Sequence, residues 1–217
     1  MDIFTAMSER KSARAYIDKP VPRKDIEEII KYAGMAPSAI NVQPWEYIVT
    51  YGEEKERLSR RLQKIQEEQS VPCGPGTSRP LPDKFLVRSR GASKVMMPAI
   101  AKTNIPFNRF VEQGSCSFYG APVAIIAAID KVFPQLRHLD IGLSISYLLL
   151  AAQAKGLSTC PIGLITAYSE EIKDMLNISK EKDILLGIAL GYADEKADVN
   201  NFKTSRADLP EILSWYE

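Results

Sequence analysis

The sequence predicts a mixed domain of the α/β or α+β class, in which strands and helices alternate. Apolar runs of strand length occupy 122–129 and 184–191, and a long apolar helical segment, Asp140–Lys155, lies between them. A chain of 217 residues is long enough for one substantial core. We find no internal repeat and no second domain boundary, so we expect a single domain over 1–217. No Gly-x-Gly-x-x-Gly motif follows a predicted strand, which argues against a Rossmann site.

In the first part of the chain, two helices precede the first strand. A short helix is predicted from Asp2 to about Glu9. A second helix begins near Pro22 and ends at Gly34, and its apolar face has the helical spacing i, i+3, i+4, i+7 at Ile26, Ile29, Ile30 and Ala33. An apolar strand follows at 46–51.

The middle of the chain contains one clear helix and one ambiguous segment. A charged helix is predicted at 53–68, and its narrow apolar stripe consists of Leu58, Leu62 and Ile65. Residues 70–82 include four prolines and two glycines, a density typical of an exposed, mobile loop. The apolar residues of 83–101 suggest a helix, but Gly91 and Pro98 are expected to interrupt it.

The last third alternates again between strands and helices. The long apolar helix ends at Gly156, and residues 157–165 are strand-like around Pro161. A helix is predicted at 169–176 with Ser169 as its N-cap. The tail from residue 192 is polar, and its expected apolar anchors are Phe202, Leu209, Ile212, Leu213 and Trp215.

Composition excludes several classes of function. The net charge is +1, so we expect no binding to nucleic acid or to a membrane. Three cysteines without metal-ligand spacing and a single histidine predict no metal site and no disulfide. The first residues lack the pattern of a secretory signal, so we expect a cytoplasmic protein.

Two polar segments are the strongest candidates for a binding site. Around Ser12 stand three cationic residues, Arg10, Lys11 and Arg14, which together suit a phosphate. After the second helix comes a loop stiffened by Pro37 and Pro44, and its hydrogen-bonding side chains are Ser38, Asn41 and Gln43. Each segment alone is also consistent with a solvated basic patch or a surface turn.

The order of these motifs and of later ones resembles the FMN-dependent nitroreductase family of flavin oxidoreductases. The resemblance covers nearly the whole chain. It rests on Arg10-Lys11-Ser12-x-Arg14, Ala36-Pro37-Ser38-x-x-Asn41-x-Gln43-Pro44-Trp45, Gly120-Ala121-Pro122, Gly156-Leu157-x-x-Cys160-Pro161-Ile162-Gly163, Gly191-Tyr192 and Ser205-x-x-x-Leu209-Pro210. It implies an α+β fold, a central, mainly antiparallel sheet surrounded by helices, and an intertwined homodimer. The Asp140–Lys155 helix would lie in the dimer core, although a helix buried within a monomer has the same pattern.

The resemblance also implies how FMN would be held. Arg10 and Arg206 would bind the phosphate with help from Ser12 and Lys11, while Thr204 stands where some relatives have a lysine, and the role of Lys203 stays open. Arg14 would lie at the pyrimidine edge of the flavin, where a cation stabilises negative charge. Contacts across the dimer interface would come from Pro37, Ser38, Ala39, Asn41 and Gln43.

The flavin N5 would face the turn Pro161-Ile162-Gly163-Leu164. The resemblance implies a backbone N–H of Gly163 or Leu164 as its partner, without a choice between them. Hydride transfer then needs no side-chain acid or base, so no catalytic side chain is expected. Candidates for an apolar acceptor pocket are Phe107, Phe110, Phe118 and Tyr119, although core packing is the first explanation for any one of these side chains alone.

The implied activity is a two-step cycle in which NADH or NADPH reduces FMN and a nitroaromatic, quinone or similar small acceptor is then reduced. Specialised relatives that dehalogenate, fragment flavin or oxidise azoline rings are the alternative within this class. A flavin-binding protein without turnover is the alternative from another class.

Overall fold

The structure is a computed structural model and describes residues 1–74, 77 and 79–217. The predicted loop at 70–82 therefore lies partly outside the described residues. Four antiparallel strands form one sheet in the order β1-β2-β4-β3. Their bounds are β1 Trp45–Tyr51, β2 Val123–Asp130, β3 Ser158–Ile162 and β4 Lys182–Gly191. The predicted α+β class and antiparallel sheet are confirmed.

Eight helices are present in the described residues. They are α1 Ile3–Glu9, α2 Arg23–Ala33, α3 Gly52–Gln69, α4 Asp83–Ala101, α5 Phe107–Cys116, α6 His138–Ala154, α7 Ser169–Leu176 and α8 Leu209–Ile212. Within these residues, no helix is long and apolar enough to cross a membrane.

Helices cover both faces of the sheet, which explains why β2 is a continuous apolar run. Ala124 and Ile126 face a core that includes Leu58 and Leu62 of α3. The alternate residues of β2 face a second core built with α2 and α6, and its members include Ile29, Ile125, Leu148 and Ala152. Since successive residues of a strand point to opposite faces, a strand between two helical layers is apolar throughout.

The first turns of the chain cover the free edge of β3. Ser12 pairs in parallel with Thr159, and the N–H of Ala13 donates to the Thr159 carbonyl at 3.0 Å. Further along, the N–H of Ile17 donates to the Tyr192 carbonyl at 3.0 Å. The segment that carries the basic motif is thus fixed to the sheet by its backbone.

Two details differ from the expectations. The helix α4 is continuous through Gly91 and Pro98. Pro98 and Lys94 are exposed, so the carbonyl that loses its helical partner can be hydrated by solvent. Ser169 is the first residue of α7 and not its cap; the cap is Tyr168, and the Ser169 hydroxyl donates to the Thr166 carbonyl at 2.6 Å.

The tail also differs from the prediction that its apolar residues act as anchors. Phe202 is partly buried, but the apolar side chains at the end of the chain are largely exposed at Leu209, Ile212, Leu213 and Trp215. The prediction that these four residues anchor the tail by packing against their own chain is therefore wrong.

Candidate functional site

A basic cavity of about 1110 Å³ lies between the N-terminal segment and the tail. We call it the phosphate cavity. Its lining contains two carboxylates, Glu9 and Glu195, and five cationic side chains, Arg10, Lys11, Arg14, Lys203 and Arg206. Ser12 adds a hydroxyl. Since the cations outnumber the carboxylates, the cavity favours an anionic ligand, and the arginine forks suit a phosphate.

Asn200 joins the two ends of the chain that form this cavity. Its side-chain oxygen accepts from the N–H of Arg14 at 2.7 Å, and its backbone carbonyl accepts from the ammonium of Lys11. Its amide nitrogen donates to the carbonyls of Ala15 at 2.8 Å and Asp194 at 2.9 Å. Asn200 is buried, and its contacts with Lys11, Arg14 and Ala15 join residues more than 180 positions apart, so no local pattern could have identified it.

The bond to Asn200 changes the role of Lys11. Its ammonium donates to the Asn200 carbonyl, so the positive charge stays in the cavity while the side chain is held in place by the protein backbone. Among the described residues, Arg206 bonds only to its sequence neighbours, since one terminal nitrogen donates to Thr204 and to the Ser205 carbonyl. Its other guanidinium nitrogens are available to a ligand.

Arg14 lies where the phosphate cavity meets a second cavity. Its guanidinium carbon is 5.9 Å from the ring centre of Tyr119 and 5.9 Å from that of Phe202. Two aromatic faces therefore orient this cation by cation–π attraction. Phe202 was expected only as an anchor of the tail, and its contact with Arg14 was missed because the two residues are distant in sequence.

The second cavity has a volume of about 540 Å³, and we call it the outer cavity. One wall is α5, and the opposite wall is formed by Gln63 and Glu67 of α3. Two of the predicted pocket residues line it, namely Phe110 and Tyr119, whose rings lie 5.8 Å apart at an angle of 43°.

The other two predicted pocket residues are placed differently. Phe118 is fully buried in the core around α3 and does not line the outer cavity. Phe107 is partly buried on the first turn of α5 and also does not line it. Phe118 and Tyr119 both have a φ of 53°, so a left-handed turn directs one ring into the core and the other to the cavity.

The amide-rich loop of 37–43 lies apart from both cavities. None of the residues Pro37, Ser38, Ala39, Asn41 and Gln43 lines either of them. The loop is fixed locally, because the Gln43 N–H donates to the Ser38 hydroxyl at 2.9 Å. The N–H of Ala39 donates to the Asp140 carboxylate at 3.4 Å, which docks the loop at the start of α6.

This loop also contains strained backbone. Ile40, Asn41 and Gln43 have φ values of 45°, 60° and 49°. A left-handed conformation is costly for β-branched Ile40, whose side chain is 95% exposed. The surrounding structure holds this shape although the chain itself does not bury the loop.

The predicted turn Pro161-Ile162-Gly163-Leu164 begins inside β3, which contains Pro161 and Ile162, and leaves the strand at Gly163. Ile162 is buried, Gly163 is exposed, and a side chain added at Gly163 would meet nothing within 4 Å. Gly163 follows Thr159 by four residues, so the turn lies roughly 13 Å along the strand from the Ser12 pairing. A flat ligand that starts in the phosphate cavity and extends along β3 would reach this open space.

Buried acids beneath the cavity remain protonated. Burial raises the pKa of the Cys160 thiol, although Arg14, Ser12 and Arg10 oppose the rise. Burial also raises the pKa of Tyr16 well above its ordinary value. These groups add no negative charge below the phosphate cavity, which therefore keeps its basic character.

Comparisons with known proteins agree with this arrangement. Residues 7–192 match the Nitroreductase family. A 4-nitrobenzoate reductase of Pseudomonas putida is 34% identical over 207 residues, covering 94% of this chain and 91% of that protein.

Two crystal structures of nitroreductases superpose closely on this chain. The FMN- and NADPH-dependent nitroreductase NfnB of sphigopyxis sp. strain HMH is 25% identical and superposes with a TM-score of 0.91 over 100% of both chains. The FMN-dependent nitroreductase NfnB of Mycobacterium smegmatis, in complex with NADPH, is 26% identical with a TM-score of 0.86 over 99% of this chain and 97% of that one. The predicted resemblance is confirmed, and the chain belongs to the Nitroreductase family.

Proposed function

We propose that the chain is an FMN-dependent oxidoreductase that takes hydride from NADPH or NADH and passes it to a nitroaromatic, quinone or similar acceptor. The observation that carries this proposal is the phosphate cavity, in which cations from both ends of the chain converge beside β3. Relatives named as FMN- and NADPH-dependent nitroreductases and as a nitrobenzoate reductase support the same assignment.

The residues present fit FMN. Arg10, Arg206 and Ser12 supply charged and neutral donors for the phosphate dianion. Arg14 is oriented by Tyr119 and Phe202, as a cation at the pyrimidine edge would need to be. The open space at Gly163 admits a flat ring beside the backbone that would meet N5.

When bound, FMN supplies the redox chemistry, accepting hydride from the nicotinamide and returning it to the acceptor. The chain itself would bind and orient the cofactor. The other cations of the phosphate cavity would hold one end of the cofactor, Arg14 would stabilise negative charge at the other, and the backbone at Gly163 or Leu164 would position the reacting edge. No proton transfer by a side chain is required of any of them.

We further propose that two copies of the chain form a homodimer. The helix α6 buries Ile141, Leu148 and Ala152 within the chain, whereas its opposite face is apolar and exposed. This face consists of Leu139, Leu143 and Tyr147, spaced at i, i+4 and i+8. A continuous exposed apolar stripe of this kind marks an association surface.

The 37–43 loop belongs to the same surface. Its hydrogen bond to Asp140 attaches the loop to the first turn of α6, the helix that carries the stripe, and its Ile40 is exposed. In a two-fold dimer the loop of one copy would reach the flavin of the other, so that Asn41 acts across the interface. This explains how the loop contributes to a site while lining neither cavity of its own chain. The exposed apolar tail from Leu209 to Trp215 would pack on the partner in the same assembly.

The decisive experiment records the visible spectrum of the purified protein with added FMN and then adds NADPH or NADH anaerobically. We expect one FMN per chain, bleaching by the reduced nicotinamide and recovery when a nitroaromatic is added. Flavin that stays oxidised would identify a binding protein without turnover. A protein that takes up no FMN at micromolar concentrations would refute the proposal entirely.

A further inference from the structure

We propose that the outer cavity selects aromatic acceptors that carry a carboxylate, and that Arg109 is the residue that recognises it. This inference rests on the proposed function, because it assigns the substrate class of the same site. It concerns a cavity of about 540 Å³ that is distinct from the phosphate cavity and meets it only at Arg14.

The helix α5 presents one face to the outer cavity. Arg109, Phe110, Gln113 and Gly114 line it, with the helical spacing i, i+1, i+4 and i+5. Arg109 lies in the first turn and is exposed, and it makes no ion pair among the described residues. Its guanidinium can therefore offer two parallel N–H groups to a carboxylate. The helix N-terminus beside it adds partial positive charge of the same sign.

The aromatic part of the ligand has a wall of its own. The rings of Phe110 and Tyr119 line the cavity with their centres 5.8 Å apart and their planes tilted by 43°, and Arg14 lies over the Tyr119 ring. Gly114 makes this arrangement possible, because an added Cβ would lie 2.4 Å from the Tyr119 ring. A flat aromatic acid could thus lie against the rings, with its reducible group toward Arg14 and its acid group toward Arg109.

The charged side chains that line the outer cavity allow a sharper test of the role assigned to Arg109. Arg14 and Arg109 are the cations of the outer cavity, and Glu67 on α3 is the opposing carboxylate. Glu67 should weaken the binding of an acid, whereas Arg109 strengthens it. The two residues therefore predict effects of opposite sign, which a purely structural role of either would not produce.

The test separates the two half-reactions and compares 4-nitrobenzoate with 4-nitrobenzamide, its uncharged analogue of similar shape. In Arg109→Gln we expect the KM for 4-nitrobenzoate to rise roughly tenfold, while kcat and the kinetics with the amide stay within about twofold. Arg109→Lys should restore part of the preference, and Glu67→Gln should lower the KM for the acid about twofold. Arg61→Gln, an exposed arginine of α3 outside both cavities, is the matched control.

Several outcomes would overturn the inference. Equal losses with the acid and the amide would mean that Arg109 does not read the carboxylate. A slower reductive half-reaction with NADPH, but unchanged oxidation by 4-nitrobenzoate, would mean that Arg109 binds a dinucleotide phosphate instead. If the protein binds no FMN or its flavin is not reduced by NADPH or NADH, the proposed function fails, and calorimetric binding of 4-nitrobenzoate to wild type and Arg109→Gln still decides the role of Arg109.

Discussion

The phosphate cavity and the 37–43 loop both present hydrogen-bonding side chains, cationic in the cavity and neutral in the loop, but the chain encloses only the first of them. In the cavity, Asn200 fixes the backbone of the basic segment and the tail supplies Arg206. The loop instead holds three left-handed residues and an exposed Ile40 without covering them. Under the proposed dimer, this difference means that each site would combine a preformed half from one chain with a strained, exposed half from the other.

The largest effect should come from a charge on the exposed face of α6. Leu143→Glu places a carboxylate in the proposed interface twice, once from each copy, and should raise the dimer dissociation constant at least about a hundredfold. Sedimentation at micromolar concentration would then give the mass of one chain, and flavin should be lost with the dimer. Val132→Glu, in an exposed turn after β2, is the control. A Leu143→Glu protein that remains dimeric and yellow would refute this interface.

Removal of one phosphate partner should have the next largest effect. Arg10→Ala should weaken FMN binding roughly tenfold to a hundredfold, since a charge-assisted hydrogen bond contributes about 1.5–3 kcal/mol. Fluorescence titration of the flavin-free protein measures the change, and thermal unfolding without flavin should match wild type. Unaltered affinity would show that the cluster is surface charge. Arg61→Ala, which also removes an exposed cation, is the control and should leave FMN binding unchanged.

Asn41→Ala should weaken FMN binding about twofold to tenfold, because it removes neutral hydrogen bonds. The sharper test mixes this variant with Arg10→Ala, each carrying a different tag, and isolates the mixed dimer. If Asn41 acts across the interface, one site of that dimer carries both defects and the other carries none. Half of the sites should then bind FMN with wild-type affinity. Two weakened sites, one with the affinity of Asn41→Ala and the other with that of Arg10→Ala, would show that Asn41 acts within its own chain.

The smallest effect should come from the aromatic pair around Arg14. Phe202→Leu removes one of its two ring faces and should weaken FMN binding roughly twofold to fivefold, since a cation–π contact contributes about 0.5–1 kcal/mol. The flavin reduction potential should also fall slightly as Arg14 becomes less fixed. Phe85→Leu is a close control, because that ring also contacts cations, Lys84 and Arg88, but in α4. If FMN affinity changes equally in Phe202→Leu and in the control, the aromatic pair does not orient Arg14 for the cofactor.

The sequence predicted the fold better than the site because the fold depends on local periodicity. The spacing of Ile26, Ile29 and Ala33 defined α2, and the apolar run of β2 followed from burial on both faces. The continuity of α4 through Pro98 could not be predicted, because it depends on solvent reaching an exposed carbonyl.

Only part of the candidate site could be predicted from the sequence, for a related reason. The motif Arg10 to Arg14 is contiguous and therefore visible in sequence, as is the position of Arg206. The contacts of Asn200 and Phe202 with Arg14 join residues more than 180 positions apart, which no single sequence pattern encodes. Phe118 and Tyr119 are adjacent in sequence, yet the first is core and the second lines a cavity, since a left-handed turn directs their rings apart.

The pairing of Ser12 with Thr159 has a consequence for how the protein behaves in a test tube. β3 is an edge strand, and an uncovered edge recruits strands from other molecules. The segment that offers its cations to the cofactor is also the cover of that edge. Substitutions that loosen its backbone, such as a proline at Ala13, would therefore cause precipitation during purification as well as a loss of colour. Solubility and cofactor loading should fall together in such variants, whereas side-chain truncations at Arg10 should separate them.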